Sequence, residues 1–465
     1  MASPSANPTF KLSYFNIKGL GEPIRFLFAY GGQNYEDNRV SHEDWPAIKS
    51  TTPMGQMPVL EVDGNVVHQT VAILRYLARR FGLAGGSDWE SLLIDTVADT
   101  ITDFRQKLSA PFYETDEAVK AKKKANILAE IVPFFLGKLE EIAKENDGHL
   151  ALSKLTWADL YFASLHDMLE YMIQKNFLEK YPYLRKVVDN VYAVDSIKSW
   201  IAKRPVSDIH TFWNILCLEV HIWFGKILKS RVTVQYPHLT FLLFGINKRP
   251  VEVYKKRINR TAVYLLFDSP DSLIGLAEPI RFILAYVGQE YEDIRVPQED
   301  WPAIKPTTPF GNMPILEVDG QAAGQSMAIL RYLGKRFGLT GSNAWEELLV
   351  DGVADTFADF RQKLIAPWQE TNEEVKAKKK ATLESETIPF YLAKLENCAK
   401  QNNGHLALSK LTYADFYFAS MIESLYVMIK PDFLDQYPNL KKVVENVRSI
   451  ESIKAWIAKR PVTEF

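Results

Sequence analysis

Apolar and polar positions fall into the same order twice along this chain, 256 positions apart. From Gly55 to Leu83 the pattern reads strand, tight turn, strand, helix. Val59–Val62 is a short apolar run, Asp63-Gly64 is a strong two-residue hairpin signal, and Asn65–His68 is the return strand. From Val71 onward apolar residues recur at helical spacing through Leu74 and Leu77. The unit returns from Gly311 to Leu339. Upstream of the first unit, Phe10–Tyr14 alternates as a strand, and Glu22-Pro23 opens an apolar helix. Proline is tolerated there because its missing N–H has no helical partner in the first turn. Tyr35–Val40 reads as a second strand.

The order βαβ then ββα predicts a thioredoxin-like layer with its crossover helix on one face. After Gly82 the pattern turns helical. Trp89–Leu108 carries apolar residues at Leu92, Leu93, Val97, Ile101 and Phe104, and Asp116–Asn146 reads as a second long helix. Its lysines, Lys120 and Lys122–Lys124, read as a solvated face. Thr156-Trp-Ala-Asp159 is a capping box opening a further apolar helix, and Ser196–Lys203 is a last amphipathic one. Trp345–Leu364, Lys376–Lys380, Thr412-Tyr-Ala-Asp415 and the C-terminal SIKAWIAKRPV repeat these features. The expected class is therefore α/β plus all-α, two copies of a thioredoxin-like layer followed by a helical domain. The boundaries fall at 8–84 and 87–208 for copy one, and at 263–340 (first strand degenerate) and 343–465 for copy two.

A net charge of −2 points to no nucleic acid, and two cysteines in 465 residues suit a reducing compartment. The N-terminus has neither the basic region nor the apolar run of a signal peptide, so a cytoplasmic protein is expected. Residues 209–262 differ from the rest, with nine Lys or Arg against Glu219 and Glu252. Their apolar part is broken by Asn214, Glu219, His221 and Lys226, which argues against a membrane span, while an interfacial segment stays open. The preferred reading is a connector without a fold of its own, or translated intron sequence.

Candidate chemistry gathers in the repeated unit. Pro58 stands immediately before a buried strand, where a cis bond would turn the Met57 backbone outward to pair with an extended peptide. Gln69-Thr70, or Gln325-Ser326 in copy two, precedes a helix; a hydroxyl there caps it, and the exposed N–H groups attract a carboxylate. A peptide-pairing edge beside a carboxylate-binding helix end suits glutathione.

The stretch resembles the glutathione-binding half of cytosolic glutathione transferases, most closely the sigma class, which includes insect transferases and glutathione-dependent prostaglandin D synthases. The resemblance covers both ends of the chain and fails across roughly Ile209 to Ala262. It implies that Tyr14, ending the first strand eight residues before Glu22-Pro23, is the catalytic tyrosine that stabilises the thiolate; taken alone, Tyr14 would read as a core ring. Trp45 and Lys49 would hold the glycyl end, the Met57-Pro58 turn the cysteinyl unit, and Gln69 and Thr70 the γ-glutamyl carboxylate. Gln56 stands at family spacing beside them, and Arg25 would support the site. Asp103 would reach the γ-glutamyl amine of a neighbouring subunit. The capping box carries a folding role in the family. In the prostaglandin synthases acids at the positions of Asp99, Thr102 and Asp103 hold a metal; Thr102 has no carboxylate, so no metal is expected. Copy two matches at Arg281, Trp301, Lys305, Asn312, Met313, Pro314, Gln325, Ser326 and Asp359. At the 256 offset, however, Tyr14 falls on Pro270, or on Phe267 if the strand slides by three; Tyr264 lies six residues upstream of Pro270, and Ser269 is a poor match.

The resemblance implies a tandem transferase with glutathione as co-substrate and no tightly bound cofactor. Copy one would conjugate small electrophiles and copy two would be impaired. Prostaglandin isomerisation or peroxide reduction could use the same site, and a non-catalytic glutathione-binding or structural protein is the rival class. Self-pairing is expected, within the chain or between chains.

Overall fold

A computed structural model describes residues 3–114, 116–206, 262–267, 275–370 and 372–461, with the backbone alone at 113 and 262–267. The expected connector, but for its last residue, lies outside the described residues, as do Ser269 and Pro270. Strands β1 (Phe10–Phe15), β2 (Glu36–Val40), β3 (Val59–Val62) and β4 (Asn65–His68) form one sheet in the order β2-β1-β3-β4. β1 runs parallel to β2 and antiparallel to β3, so the Glu22–Tyr30 helix is the crossover between the parallel pair. β5 (Ala262–Phe267), β6 (Glu292–Pro297), β7 (Ile315–Val318) and β8 (Gln321–Ala323) repeat that order. Both hairpins turn on a left-handed Asp-Gly pair, Asp63-Gly64 and Asp319-Gly320, as their two-residue length requires. The Met57–Pro58 and Met313–Pro314 bonds are cis.

Register corrects the first strand of copy two. Tyr14 lies opposite Arg39, and Leu265 lies opposite Arg295, the counterpart of Arg39. On the other side, Leu12 pairs with Leu60 and Val263 with Leu316. Both neighbours therefore place Leu265, and neither Phe267 nor Pro270, at the position of Tyr14. The direct offset fails because eight positions separate Tyr14 from Glu22, whereas thirteen separate Leu265 from Glu278.

Each helical domain is built on a 22-residue helix, Asp88–Ser109 or Ala344–Ile365. The helix expected over Asp116–Asn146 is interrupted. Glu117–Asn126 and Val132–Glu145 are joined through a π-helical turn at Ile127–Ile131, and copy two repeats this at Leu383–Thr387. Pro133 and Pro389 explain it: each lacks an N–H and crowds the carbonyl four residues back, so the preceding turn widens. The lysines there are not merely solvated. Lys123 pairs with the buried Glu114 and lies 3.5 Å from Glu370 of copy two.

The capping box forms as expected, around a carboxylate with no exposed surface. Asp159 accepts from Thr156 N (2.7 Å), Thr156 Oγ1 (2.8 Å) and Leu150 N (2.7 Å). Asp159→Ala strands two buried backbone donors and is expected to lower stability by about 2–5 kcal/mol. Urea unfolding of the variant checks this, and a loss below about 1 kcal/mol would contradict it.

The two copies meet through the Thr70–Arg80 and Asp88–Ser109 helices of one and the Ser326–Arg336 and Ala344–Ile365 helices of the other. The centre of this contact is ionic. Arg75 reaches Asp95 (3.0 Å), Asp99 (2.7 Å) and Asp355 (3.5 Å), while Arg331 reaches Asp99 (3.0 Å) and Asp355. Arg79 adds Glu347 at 2.8 Å. Among the described residues no helix is long and apolar enough to cross a membrane.

Candidate functional site

A cleft of about 570 Å³ opens between the copies. Tyr14, Trp45, Gln56, Met57, Pro58, Gln69, Thr70 and Asp103 line it from copy one, and Asn312, Met313, Gln325, Ser326 and Asp359 from copy two. Arg25, Lys49, Arg281, Trp301, Lys305 and Pro314 stand outside its wall.

Tyr14 is 4% exposed, and its hydroxyl oxygen accepts from the Leu20 N–H at 3.0 Å. An N–H donated to a phenol oxygen polarises the O–H toward donation. The loop that carries Leu20 is tied down from three sides. Arg25 is wholly buried; it donates to Ile17 O (2.8 Å), pairs with Asp37 (3.1 Å), and sets its guanidinium 5.9 Å from the Tyr14 ring centre. Lys18 pairs with Asp167 (2.6 Å), which Arg204 also holds at 3.2 Å. Glu22 accepts from Trp200 (3.0 Å) and Arg204 (2.8 Å), so the last helix of the domain braces the first. Sequence reasoning missed Glu22, Lys18, Asp167 and Arg204. The recurrence of the Glu-Pro and Lys-Arg-Pro pairs was the available signal, and Glu278 with Trp456 and Arg460 repeats part of the brace.

Gly21 has to lack a side chain. A Cβ there would lie 2.5 Å from the Tyr14 ring. Copy two has buried Ala277 at the matching position. It therefore differs twice, with Leu265 in place of the tyrosine and a methyl where the tyrosine ring packs in copy one.

At the other end of the site, the helix cap departs from expectation. Gln69 and Gln325, rather than Thr70 and Ser326, occupy the cap position, with φ of 72° and 64° and no side-chain cap bond. Left-handed backbone is costly for glutamine. It is held by bonds across the two copies: Gln69 Nε2 donates to Asp359 Oδ2 (2.9 Å) and Thr356 Oγ1 (3.3 Å). Gln325 Nε2 donates to Asp103 Oδ2 (3.0 Å) and Thr100 Oγ1 (3.1 Å). The aspartates are thus crossed, Asp359 serving copy one and Asp103 copy two. Burial pushes Asp103 up to about 6 against the opposing Gln325 bond, and it raises Asp359 as well. His68, in the same wall, is pushed down to about 4 by burial, with Lys394 of copy two adding to the effect.

At the glycyl end, Trp45 is buried with its ring edge-on to Phe15 at 5.3 Å, and Lys49 is exposed. Lys305 is also exposed, with its ammonium 5.5 Å from the Phe134 ring centre of copy one. Of the three positions matched to a metal, Asp99 lies between the Arg75 and Arg331 guanidiniums, Thr102 shares a bond with the Tyr161 hydroxyl, and Asp103 holds Gln325. Among the described residues His166, Asp167 and Glu170 also come together, but Lys18 and Arg204 already hold Asp167.

Comparison with known proteins identifies the family of both copies. The glutathione S-transferase N-terminal domain family matches residues 10–79 and 266–335, and the glutathione S-transferase C-terminal domain family matches 102–204 and 358–460. Glutathione S-transferase S1 of Drosophila melanogaster is 55% identical over 201 residues, 43% of this chain and 81% of that protein. A glutathione S-transferase of Anopheles gambiae is 54% identical over 43% of this chain and its own full length. Hematopoietic prostaglandin D synthase of Gallus gallus is 42% identical over the same shares. The chain belongs to the glutathione S-transferase family, with the family's pair of domains present twice.

Proposed function

We propose that copy one, 8–84 with 87–208, is the working half of a sigma-like glutathione transferase. Tyr14 donates its hydroxyl proton in a hydrogen bond to the sulfur and lowers the thiol pKa, so that the thiolate attacks a small electrophile. The position of Tyr14 in the cleft wall, with Leu20 N–H on its oxygen, carries the reading. Gln69 and Thr70 with the helix N-terminus take the γ-glutamyl carboxylate, Asp359 the γ-glutamyl amine, the Met57 backbone the cysteinyl unit, and Trp45 and Lys49 the glycyl end. Gln56 lies beside the Met57 edge, and Arg25 acts from below by holding the Tyr14 loop. Glutathione is a co-substrate, no cofactor is held tightly, and the site lies in the cytoplasm.

Copy two, 263–340 with 343–465, keeps Gln325, Ser326, the Met313-Pro314 turn, Lys305 and, from copy one, Asp103. It binds glutathione without ionising it, because Leu265 and Ala277 replace Tyr14 and Gly21. For that half the non-catalytic reading is preferred.

The copies pair within one chain, since the crossed aspartates and the shared arginines complete both sites without a second molecule. Two measurements test this reading. The purified chain should conjugate glutathione to a chloronitrobenzene, and at low concentration it should sediment as a 53.1 kDa species. An inert chain defeats the transferase assignment to copy one, and a species of twice that mass defeats internal pairing.

A further inference from the structure

Beyond the groups matched to glutathione, the cleft walls of the two copies differ at a buried hydroxyl. In copy one Tyr161, on the Trp157–Ser164 helix, lines the cleft, and its hydroxyl shares a 3.1 Å hydrogen bond with the Thr102 hydroxyl. In copy two the counterpart of Thr102 is Ala358, which has no polar group to offer. Tyr417, the counterpart of Tyr161, is 1% exposed, with its ring edge-on to Phe357 at 4.7 Å. It lines the cleft, and its hydroxyl has no hydrogen-bond partner among the described residues. Arg361 lines the same wall, and its buried Nε is equally without a partner there. Arg105 repeats Arg361 in copy one, so among these groups the free phenol is what distinguishes copy two.

A buried hydroxyl left unpaired costs stability, and one that borders a cleft can be satisfied by what enters it. A protonated phenol and a guanidinium both donate, and together they fit a carboxylate. Burial keeps the phenol protonated, with the Arg361 charge only partly opposing it. The acids that bear on these two groups are already engaged. Asp103 accepts from Gln325, and Asp355 is held by Arg75 and Arg331. There is also added room. Met168 lines the cleft in copy one, and its counterpart is the smaller Ser424. At the sulfur, Leu265 and Ala277 stand where copy one has Tyr14 and Gly21. A sulfur that already carries a substituent needs no thiolate stabilisation.

We infer that copy two binds glutathione thioethers whose sulfur substituent ends in a carboxylate, with the Tyr417 hydroxyl and the Arg361 guanidinium donating to that carboxylate. The second half of the chain then holds finished conjugates rather than making them. This ligand class rests on the reading that copy two binds glutathione without ionising it. Gln325, Ser326 and the Met313 turn line the same cleft and hold the peptide part, while Tyr417 and Arg361 select the substituent. Copy one lacks this selection because Thr102 already occupies the matching hydroxyl.

The test is calorimetry on the full chain with a graded series of ω-carboxyalkyl thioethers of glutathione, each beside the n-alkyl thioether of the same length. Hydrogen bonds to a charged group predict that copy two prefers the acid by about tenfold or more at the best length. Ala358→Thr gives the Tyr417 hydroxyl the partner that Tyr161 has, and should bring that preference within about twofold; Tyr417→Phe should do the same. Both substitutions lie in copy two, so the difference from the wild type reports that site. Without ligand, Tyr417→Phe should melt at or above the wild-type temperature, because it removes an unpaired buried group, whereas a hydroxyl kept for folding would lower it. Ala358→Thr decides the matter if Tyr417→Phe does not fold. Equal binding of acid and alkyl at every length, a preference that survives Ala358→Thr, or a lowered melting temperature in a folded Tyr417→Phe would each overturn the inference. One thioether bound per chain, with an affinity that neither substitution moves, would defeat the underlying reading that copy two holds glutathione, so the two failures are distinguishable.

Discussion

Tyr14→Phe is expected to lower kcat at pH 7 by about 10- to 100-fold while glutathione affinity changes little. A free thiol has a pKa near ~8.5, and each unit of depression is worth about 1.4 kcal/mol of thiolate stabilisation. A hydroxyl that donates more strongly to S⁻ than to S–H supplies one to two such units, and that difference disappears when the hydroxyl is removed. The ring itself is retained, so its contacts with Phe15 and Arg25 persist and the fold should be undisturbed. The sign of the pH dependence follows. With a higher thiol pKa, the variant should regain rate as pH rises toward 9, whereas the wild type has already levelled off. Stopped-flow or steady-state conjugation across pH 6–9 checks both points. A variant that turns over at the wild-type rate at pH 7 shows that another group activates the thiol.

Much of this molecule is legible along the chain because the informative features are local. The Asp63-Gly64 turn specifies its hairpin, the Pro58 turn its cis bond, and the Thr156–Asp159 spacing its cap. Each involves residues a few positions apart. The rest depends either on a proline that widens the turn before it, as at Pro133, or on a bond between distant residues. Gln69 and Asp359 are 290 positions apart, and nothing local marks them as partners. The role of Gln69 at the cap follows from that distant bond, whereas the Thr70 hydroxyl is the only local sign of a cap. The expectation of Pro270 or Phe267 at the tyrosine position of copy two fails for a different reason. Counting along a chain assumes equal loop lengths, whereas strand register does not.

The crossed arginines carry the second large effect. Arg331 is 6% exposed and contacts Asp99, Asp355 and, at 3.8 Å, Asp351. Arg331→Met keeps most of the side-chain volume and removes the charge. Asp95, Asp99 and Asp355 are then left to Arg75 alone, and Asp351 to Arg79 at 3.9 Å and the Tyr413 hydroxyl. Breaking a buried pair by deleting one partner typically costs about 3–5 kcal/mol, because the remaining charge has lost its compensation. The loss should depend on pH. Burial already holds Asp355 up at about 6 in spite of both arginines, and losing Arg331 raises it further. A carboxyl whose folded pKa lies above its unfolded value binds more protons in the native state. Its stabilising contribution is complete below the unfolded pKa and is lost as pH rises through the folded one. The variant should therefore approach the wild type near pH 5 and fall furthest behind it above pH 7. Urea unfolding of both proteins at pH 5 and pH 8 measures the difference. If the deficit is below about 1 kcal/mol, or grows as the pH is lowered, the arginines are not what holds the two copies together.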